Sequence, residues 1–157
     1  MAKKEKIPTV HDFFSKISVQ KILKKYGKAK IIICTNVFNH ISDLNAFMRN
    51  IGSLLDKNGF FIFETPYMLD LVNNIAFDTI YLEHVSYFSV KPFEKFFKKF
   101  GFYIHHLEKT DYMGGSVRVY VCRKKINQPL VKEYIKVEES TKVFDPKTYQ
   151  VMMQKVN

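Results

Sequence analysis

The chain has 157 residues, 46% of them apolar and 15% aromatic, which excludes a disordered segment and makes one folded domain the expectation. Its longest apolar runs, residues 31–34 and 60–63, fall far short of the roughly 18 residues of a membrane helix. The opening MAKKEKIP lacks the apolar core of a signal peptide, so a cytoplasmic protein is expected. A net charge of +10 admits an acidic ligand or nucleic acid, but the lysines are scattered and arginine occurs only at Arg49, Arg118 and Arg123. Solvated helix faces are the expected use of that charge, and RNA binding or methylation is the less favoured one.

Val19, Ile22, Leu23 and Tyr26 recur at helical spacing and Gly27 follows, which predicts a helix over residues 15–26. KIIICT, residues 30–35, is an apolar run without alternation, as expected of a parallel strand buried on both faces. Ser42 or Asp43 can cap a second helix carrying Leu44, Phe47, Met48, Ile51, Leu54 and Leu55, ending at the turn DKNG, residues 56–59. A second buried strand, residues 59–63, then runs to Glu64-Thr65-Pro66, and strand, helix, strand at this spacing reads as a right-handed βαβ unit. Phe93, Phe96, Phe97 and Phe100 mark a core-facing helix closed by Gly101. Residues 102–107 and 116–122 read as an antiparallel pair joined through DYMGG. From about Ile126 the chain is charged, with Tyr134, Ile135, Met152 and Met153 as the few anchors of a helical tail. Cys34 and Cys122 lack C-x-x-C spacing and are expected as free thiols, with no metal site.

DTIYLEHVSYFS, residues 78–89, packs Tyr81, Glu83, His84, Tyr87 and two serines into a stretch flanked by apolar sequence. In an open α/β sheet ligands bind at the carboxyl ends of the strands, where Asn36, His40, Glu64 and Tyr67 are expected. A loop folding back over that end brings Tyr81, Glu83 and His84 to it. His84 is the natural base, since an ordinary histidine titrates near ~6.5; Glu83 can orient a hydroxyl or a histidine, and Tyr81 can donate to a developing oxyanion. Each residue also has a plain structural use. His40 can cap the following helix, His84 can satisfy loop carbonyls, Gly114-Gly115-Ser116 can be a turn, and Arg118 can point outward from its strand.

TIYLEHVSYFS, preceded by IPTVHDFFS and TNVFNHISDLNAF and followed by YMGGSVRVYV, resembles the C-methyltransferases that move a methyl group from S-adenosylmethionine to carbon in nucleotide-linked deoxysugars. The likeness runs from about Ile7 to Cys122. It implies the C-terminal half of a Rossmann-like class I methyltransferase sheet, an α/β fold of three layers (α/β/α), with a terminal antiparallel strand pair. It implies that His84 is the general base removing the proton beside a keto group, with Tyr81, Glu83 and His40 as catalytic neighbours. Asn36, Asp12, Phe13 and Phe14 match positions near the S-adenosylmethionine pocket, and Tyr87, Gly115, Ser116 and Arg118 match the substrate side. A nucleotide-sugar substrate follows from the same resemblance, with no membrane partner.

Three departures shape the expectation. No Cys-rich zinc module is present, Met113 stands where the family usually has His before Gly-Gly-Ser, and no Gly-x-Gly occurs among the glycines at 27, 52, 59, 101, 114 and 115. The cofactor's glycine-rich loop and the acidic residue for its ribose are therefore absent. Residues 1–125 are expected as a partial catalytic domain lacking the first two strands, and residues 126–157 as the start of a C-terminal helical region. Such a half-sheet leaves an edge and an apolar face uncovered, which predicts self-association or a second polypeptide supplying the first half. The alternative is a non-catalytic remnant or the partner subunit of a split methyltransferase.

Overall fold

The amphipathic repeat near the N-terminus forms α1 (Lys16–Tyr26), opened by a capping box in which Ser15 and Ser18 exchange side-chain and main-chain bonds of 3.2 and 2.8 Å. It ends at Gly27, whose φ of +75° suits a residue without Cβ. These coordinates are a computed structural model that describes residues 4–156; the outermost limits of the two expected regions, residues 1–3 and 157, lie outside the described residues. After α1 come β1 (Ala29–Thr35), α2 (Leu44–Leu54), β2 (Leu55–Pro66), α3 (Met68–Asn73), α4 (Val90–Lys98), β3 (Tyr103–Thr110), β4 (Ser116–Cys122), α5 (Pro129–Ser140) and α6 (Pro146–Gln154). Of the two capping candidates before α2, Asp43 performs the task, accepting the Ala46 N–H at 2.8 Å.

The four strands form one sheet in the order β1-β2-β4-β3. β1 and β2 are parallel and joined through α2, while β4 runs antiparallel to both β2 and β3. β2 is longer than the sequence predicts. It starts at Leu55, opposite Ala29, bulges through residues 56–59 and resumes with Phe60 opposite Ile31. Inside the bulge Asp56 accepts the Asn58 N–H at 2.9 Å, and Gly59 comes so close to Lys30 that a Cβ would lie 2.8 Å from its carbonyl oxygen. At the other end Glu64, Thr65 and Pro66 stay in the strand because β4 pairs with them.

Alternation along the strands gives the sheet two different faces. On one, Phe61, Phe63, Val117, Val119 and Val121 are fully buried and merge with Met48 and Ile51 of α2, Phe93 and Phe97 of α4 and Val131 of α5. Phe38, in the short turn after β1, sits at the centre of this cluster, with its ring 4.4 Å from Phe63 and 5.3 Å from Phe88. The other face carries Ile31, Ile33, Phe60, Ile62, Glu64, Arg118 and Tyr120, and has no helical layer among the described residues. There Ile31 is 59% and Ile33 67% exposed. The apolar run of β1 therefore meets cover on one face only among the described residues, rather than on both.

Phe38→Ala removes a ring from the middle of the packed face and should cost about 3–5 kcal/mol. Urea unfolding followed by tyrosine fluorescence checks this; a loss below about 1 kcal/mol would mean that the cluster closes over the gap.

Candidate active site

β1 ends at Thr35, and Asn36 turns the chain with a left-handed φ of +55° while its N–H bonds the Glu64 carbonyl at 3.2 Å. The turn places Phe38 in the core and His40 two residues further on, beyond the carboxyl end of the parallel strands. The segment between α3 and α4 folds back over this end. It is held to the turn by the Ser86 N–H on the Asn39 carbonyl, at 3.3 Å, and by His40 Nδ1 on the Glu83 carbonyl, at 2.7 Å. The expected return of this loop to the strand ends is what the structure contains.

His84 is 6% exposed and wedged between three partners. Its Nδ1 lies 2.8 Å from the Thr79 carbonyl oxygen, and a carbonyl only accepts, so Nδ1 carries the proton. In the neutral imidazole Nε2 is then the acceptor, and the Tyr81 hydroxyl donates to it at 2.7 Å. The Tyr81 and His84 rings are 4.0 Å apart, and His40 packs edge-on to His84 at 4.9 Å. Tyr87 donates its hydroxyl to the same Thr79 carbonyl at 3.1 Å, and burial raises its phenol above the ordinary value. Tyr81 is 42% exposed, so the pair joins a buried imidazole to a partly exposed tyrosine.

The remaining predicted residues divide into those near this array and those elsewhere. Glu83 contributes its main-chain carbonyl to His40, and its side chain is exposed. Phe13 and Phe14 line a groove of about 930 Å³ together with His40, Ile41, Phe47 and Arg49, so His40 stands between that groove and His84. Asp12 lies outside the groove, paired with Lys21 at 3.1 Å. Asn36 has its side-chain oxygen buried with no hydrogen-bond partner. Gly115 takes a φ of +126°, where a Cβ would lie 2.5 Å from that of Asp70, and Ser116 is buried and donates to the Tyr112 carbonyl at 2.9 Å. Arg118 lies on the uncovered sheet face, bridging Glu64 at 2.7 Å and Glu108 at 2.9 Å; it makes no bond to His84 or Tyr81. Tyr120 also donates to Glu108, at 2.7 Å. Both thiols are free and buried, and desolvation pushes that of Cys34 up to about 11.

Two contributors to the site were not marked by sequence reasoning, the Thr79 carbonyl and the Asn39 carbonyl. Both act through main chain, which leaves no mark in residue type.

A family of methyltransferase domains matches residues 2–107 of this chain. The chain belongs to that family. This methyltransferase domain is also 31% identical, over 124 residues, to the C-methyltransferase NovU of Streptomyces niveus, a match spanning 77% of this chain and 30% of that protein. Less than a third of the relative's length is therefore represented here. Among solved structures, a SAM-dependent methyltransferase from Anabaena variabilis superposes with a TM-score of 0.52 at 15% identity, over 74% of this chain and 58% of the other. A protein described as a pericyclic reaction enzyme does so with a TM-score of 0.52 at 11% identity, over 78% and 33%. These likenesses establish the class I methyltransferase fold of the sheet and its helices. Among the described residues no helix is long and apolar enough to cross a membrane.

The residues present fit only part of a cofactor such as S-adenosylmethionine. Phe13 and Phe14 offer an apolar wall, but Asn36 does not line that groove, its unpaired amide oxygen is buried, and the chain has no Gly-x-Gly turn to bring backbone against the ligand.

The polar face of the sheet gives a pH test. The Tyr120 hydroxyl, then Arg118, hold the Glu108 carboxyl below its ordinary value, so this contribution to stability is complete above the ordinary carboxylate range and is lost as pH falls through the lowered pKa. Tyr120→Phe should move the Glu108 titration upward, measured by carbon NMR of the carboxyl; an unchanged midpoint would assign the lowering to Arg118 alone.

Proposed function

We propose that this chain is the substrate-side half of an S-adenosylmethionine-dependent C-methyltransferase acting on a nucleotide-linked keto-deoxysugar. The observation that carries the reading is the Tyr81–His84 pair, in which Nδ1 donates to Thr79 and Nε2 accepts the hydroxyl of the partly exposed Tyr81. Similarity to a C-methyltransferase supports the reaction class.

A keto sugar entering beside Tyr81 displaces its hydroxyl from Nε2 and receives it at the carbonyl oxygen. Nε2 then takes the proton from the adjacent carbon, the C–H electron pair becomes the enolate, and the tyrosine hydroxyl stabilises the oxygen that gains charge. The cofactor, when bound, supplies an electrophilic methyl group to that carbon. His40 and the loop carbonyls keep the imidazole oriented, so little reorganisation is needed as charge develops. The imidazolium formed at His84 keeps its Nδ1–H on Thr79 throughout.

The cofactor side we assign to a further stretch of polypeptide that pairs with the free edge of β1 and lays helices on the bare face. Exposed Ile31 and Ile33 on a parallel strand at the edge of the described sheet support this, because a parallel sheet is stable with both faces covered. A right-handed crossover on the β1 side, running the other way from β1-α2-β2, sets its helices on that opposite face.

The test joins this chain to the N-terminal half of a full-length C-methyltransferase and follows methyl transfer to a keto-deoxysugar nucleotide. His84→Ala should lower turnover by about 10²–10⁴-fold, the usual worth of a general base, with S-adenosylhomocysteine affinity retained in calorimetry. Retained turnover with lost cofactor affinity would remove His84 from the base role. Ile31→Lys with Ile33→Lys should abolish association of the two halves; unaltered association would place the interface elsewhere. Association without any methyl transfer would favour a non-catalytic partner subunit.

A further inference from the structure

Helix α5 has an apolar stripe at Val131, Tyr134 and Ile135, and the next position in that phase is Glu138. The carboxylate is fully buried, and among the described residues no lysine or arginine pairs with it. An isolated buried charge is strongly unfavourable, so its partners must carry the compensation. Its Oε1 accepts the Val90 N–H at 2.5 Å and the Tyr67 hydroxyl at 2.8 Å, and its Oε2 accepts the Lys91 N–H at 3.0 Å. Val90 and Lys91 open α4, whose first N–H groups have no partner within the helix and whose dipole is positive at that end. Ser89, at the N-cap position, makes no side-chain capping bond. Glu138 therefore caps α4 from another helix.

The same carboxylate holds a second point. Tyr67 precedes α3, the Met68 N–H bonds the Phe88 carbonyl at 2.9 Å, and Tyr67 and Phe88 form a parallel bridge. The stretch carrying Tyr81 and His84 thus leaves the body of the fold at Tyr67 and returns at Val90, and Glu138 bonds both ends of it. Burial first, and then the Glu138 carboxylate, drive the Tyr67 phenol far above its ordinary range, so the hydroxyl remains a donor at any working pH. Thr79, Tyr81, His84 and Tyr87 make their mutual bonds inside a loop whose two stem ends Glu138 bonds, alongside the Tyr67–Phe88 bridge.

We propose that Glu138 is a positioning residue for the Tyr81–His84 pair: it clamps the stem of the active-site loop and makes α5 part of the catalytic apparatus. The proposal rests on the reading that this loop bears the catalytic base, but it concerns the order of the loop, which can be measured without catalysis. Glu138→Gln keeps the shape while turning one acceptor into a donor facing an N–H, and Tyr67→Phe removes one of the three donors and leaves the carboxylate bonded to α4. Amide hydrogen exchange by NMR on the whole chain should become about tenfold faster at Ile80, His84 and Ser86 in Glu138→Gln, and less so in Tyr67→Phe, with β2 and β4 amides unchanged. The nitrogen shift of His84 Nε2 should move toward that of an imidazole released from Tyr81. Glu139→Gln, on the exposed neighbour paired with Lys91, should leave both readouts as in the parent chain.

Acceleration spread evenly over loop and strands would make Glu138 a stability residue only, and an unchanged loop in both variants would overturn the clamp. Should Glu138→Gln fail to fold, Tyr67→Phe alone decides. If the clamp variants loosen the loop but His84→Ala leaves methyl transfer intact in the joined enzyme, the clamp stands and the base assignment falls.

Discussion

The ring of Phe38 is the contact on which the rest of this structure depends. Its centroid lies between 4.4 and 6.4 Å from those of Phe47, Phe61, Phe63, Phe88, Phe93 and Phe97, which come from α2, β2, the active-site loop and α4. Tilted and edge-on pairs of this kind add to the area they bury. Because Phe38 belongs to the turn that carries His40, the packing of the core and the placement of a site histidine are one event. Phe88 in turn stacks on Phe93 at 4.9 Å, so the end of the loop that bears His84 is anchored in the same cluster.

Much of this arrangement was legible in the amino-acid pattern. Helical spacing marked α1, α2 and α4 because packing on one face imposes a period of 3.6, the unalternating β-branched run marked β1, and the short Gly-Gly connection marked β3 and β4 as antiparallel. The early start of β2 was not legible, since DKNG has turn composition and is here a bulge within the strand. Nor was α3, whose six residues are too few to display a period and whose preceding residue, Tyr67, caps with no side-chain bond. The residue types of the site were readable, but their assembly depends on the carbonyls of Thr79, Asn39 and Glu83, which every residue possesses. Glu138 did carry a signal, an acid in the apolar phase of α5.

Two buried carboxylates are compensated in different ways. Glu64 is 5% exposed on the uncovered face and is compensated by a cation, Arg118, which reaches it through two nitrogens. Glu138 lies on the covered side and is compensated by neutral donors at a helix end. The difference follows from access to water: Arg118 is partly exposed and keeps part of its hydration, whereas a cation beside Glu138 would have to be desolvated completely. Loss of one donor from Glu138 leaves the charge with fewer partners and no water to replace them, so that group is the more sensitive of the two.

The contacts that order the Tyr81, His84 and His40 array all come from within this chain. His84 needs Thr79 for its tautomer and Tyr81 for its lone pair, His40 needs Glu83, and the loop needs Phe88 and Glu138. None of these depends on the strands that would extend the sheet past β1. On the proposed reading, the side that bears the base is organised before any cofactor-bearing polypeptide docks, and docking on the bare face has only to bring a methyl donor to it. For the proposed proton abstraction, preorganisation of this kind would lower the cost of forming charge at the substrate oxygen, because the donors and the proposed base are in place before the proton moves.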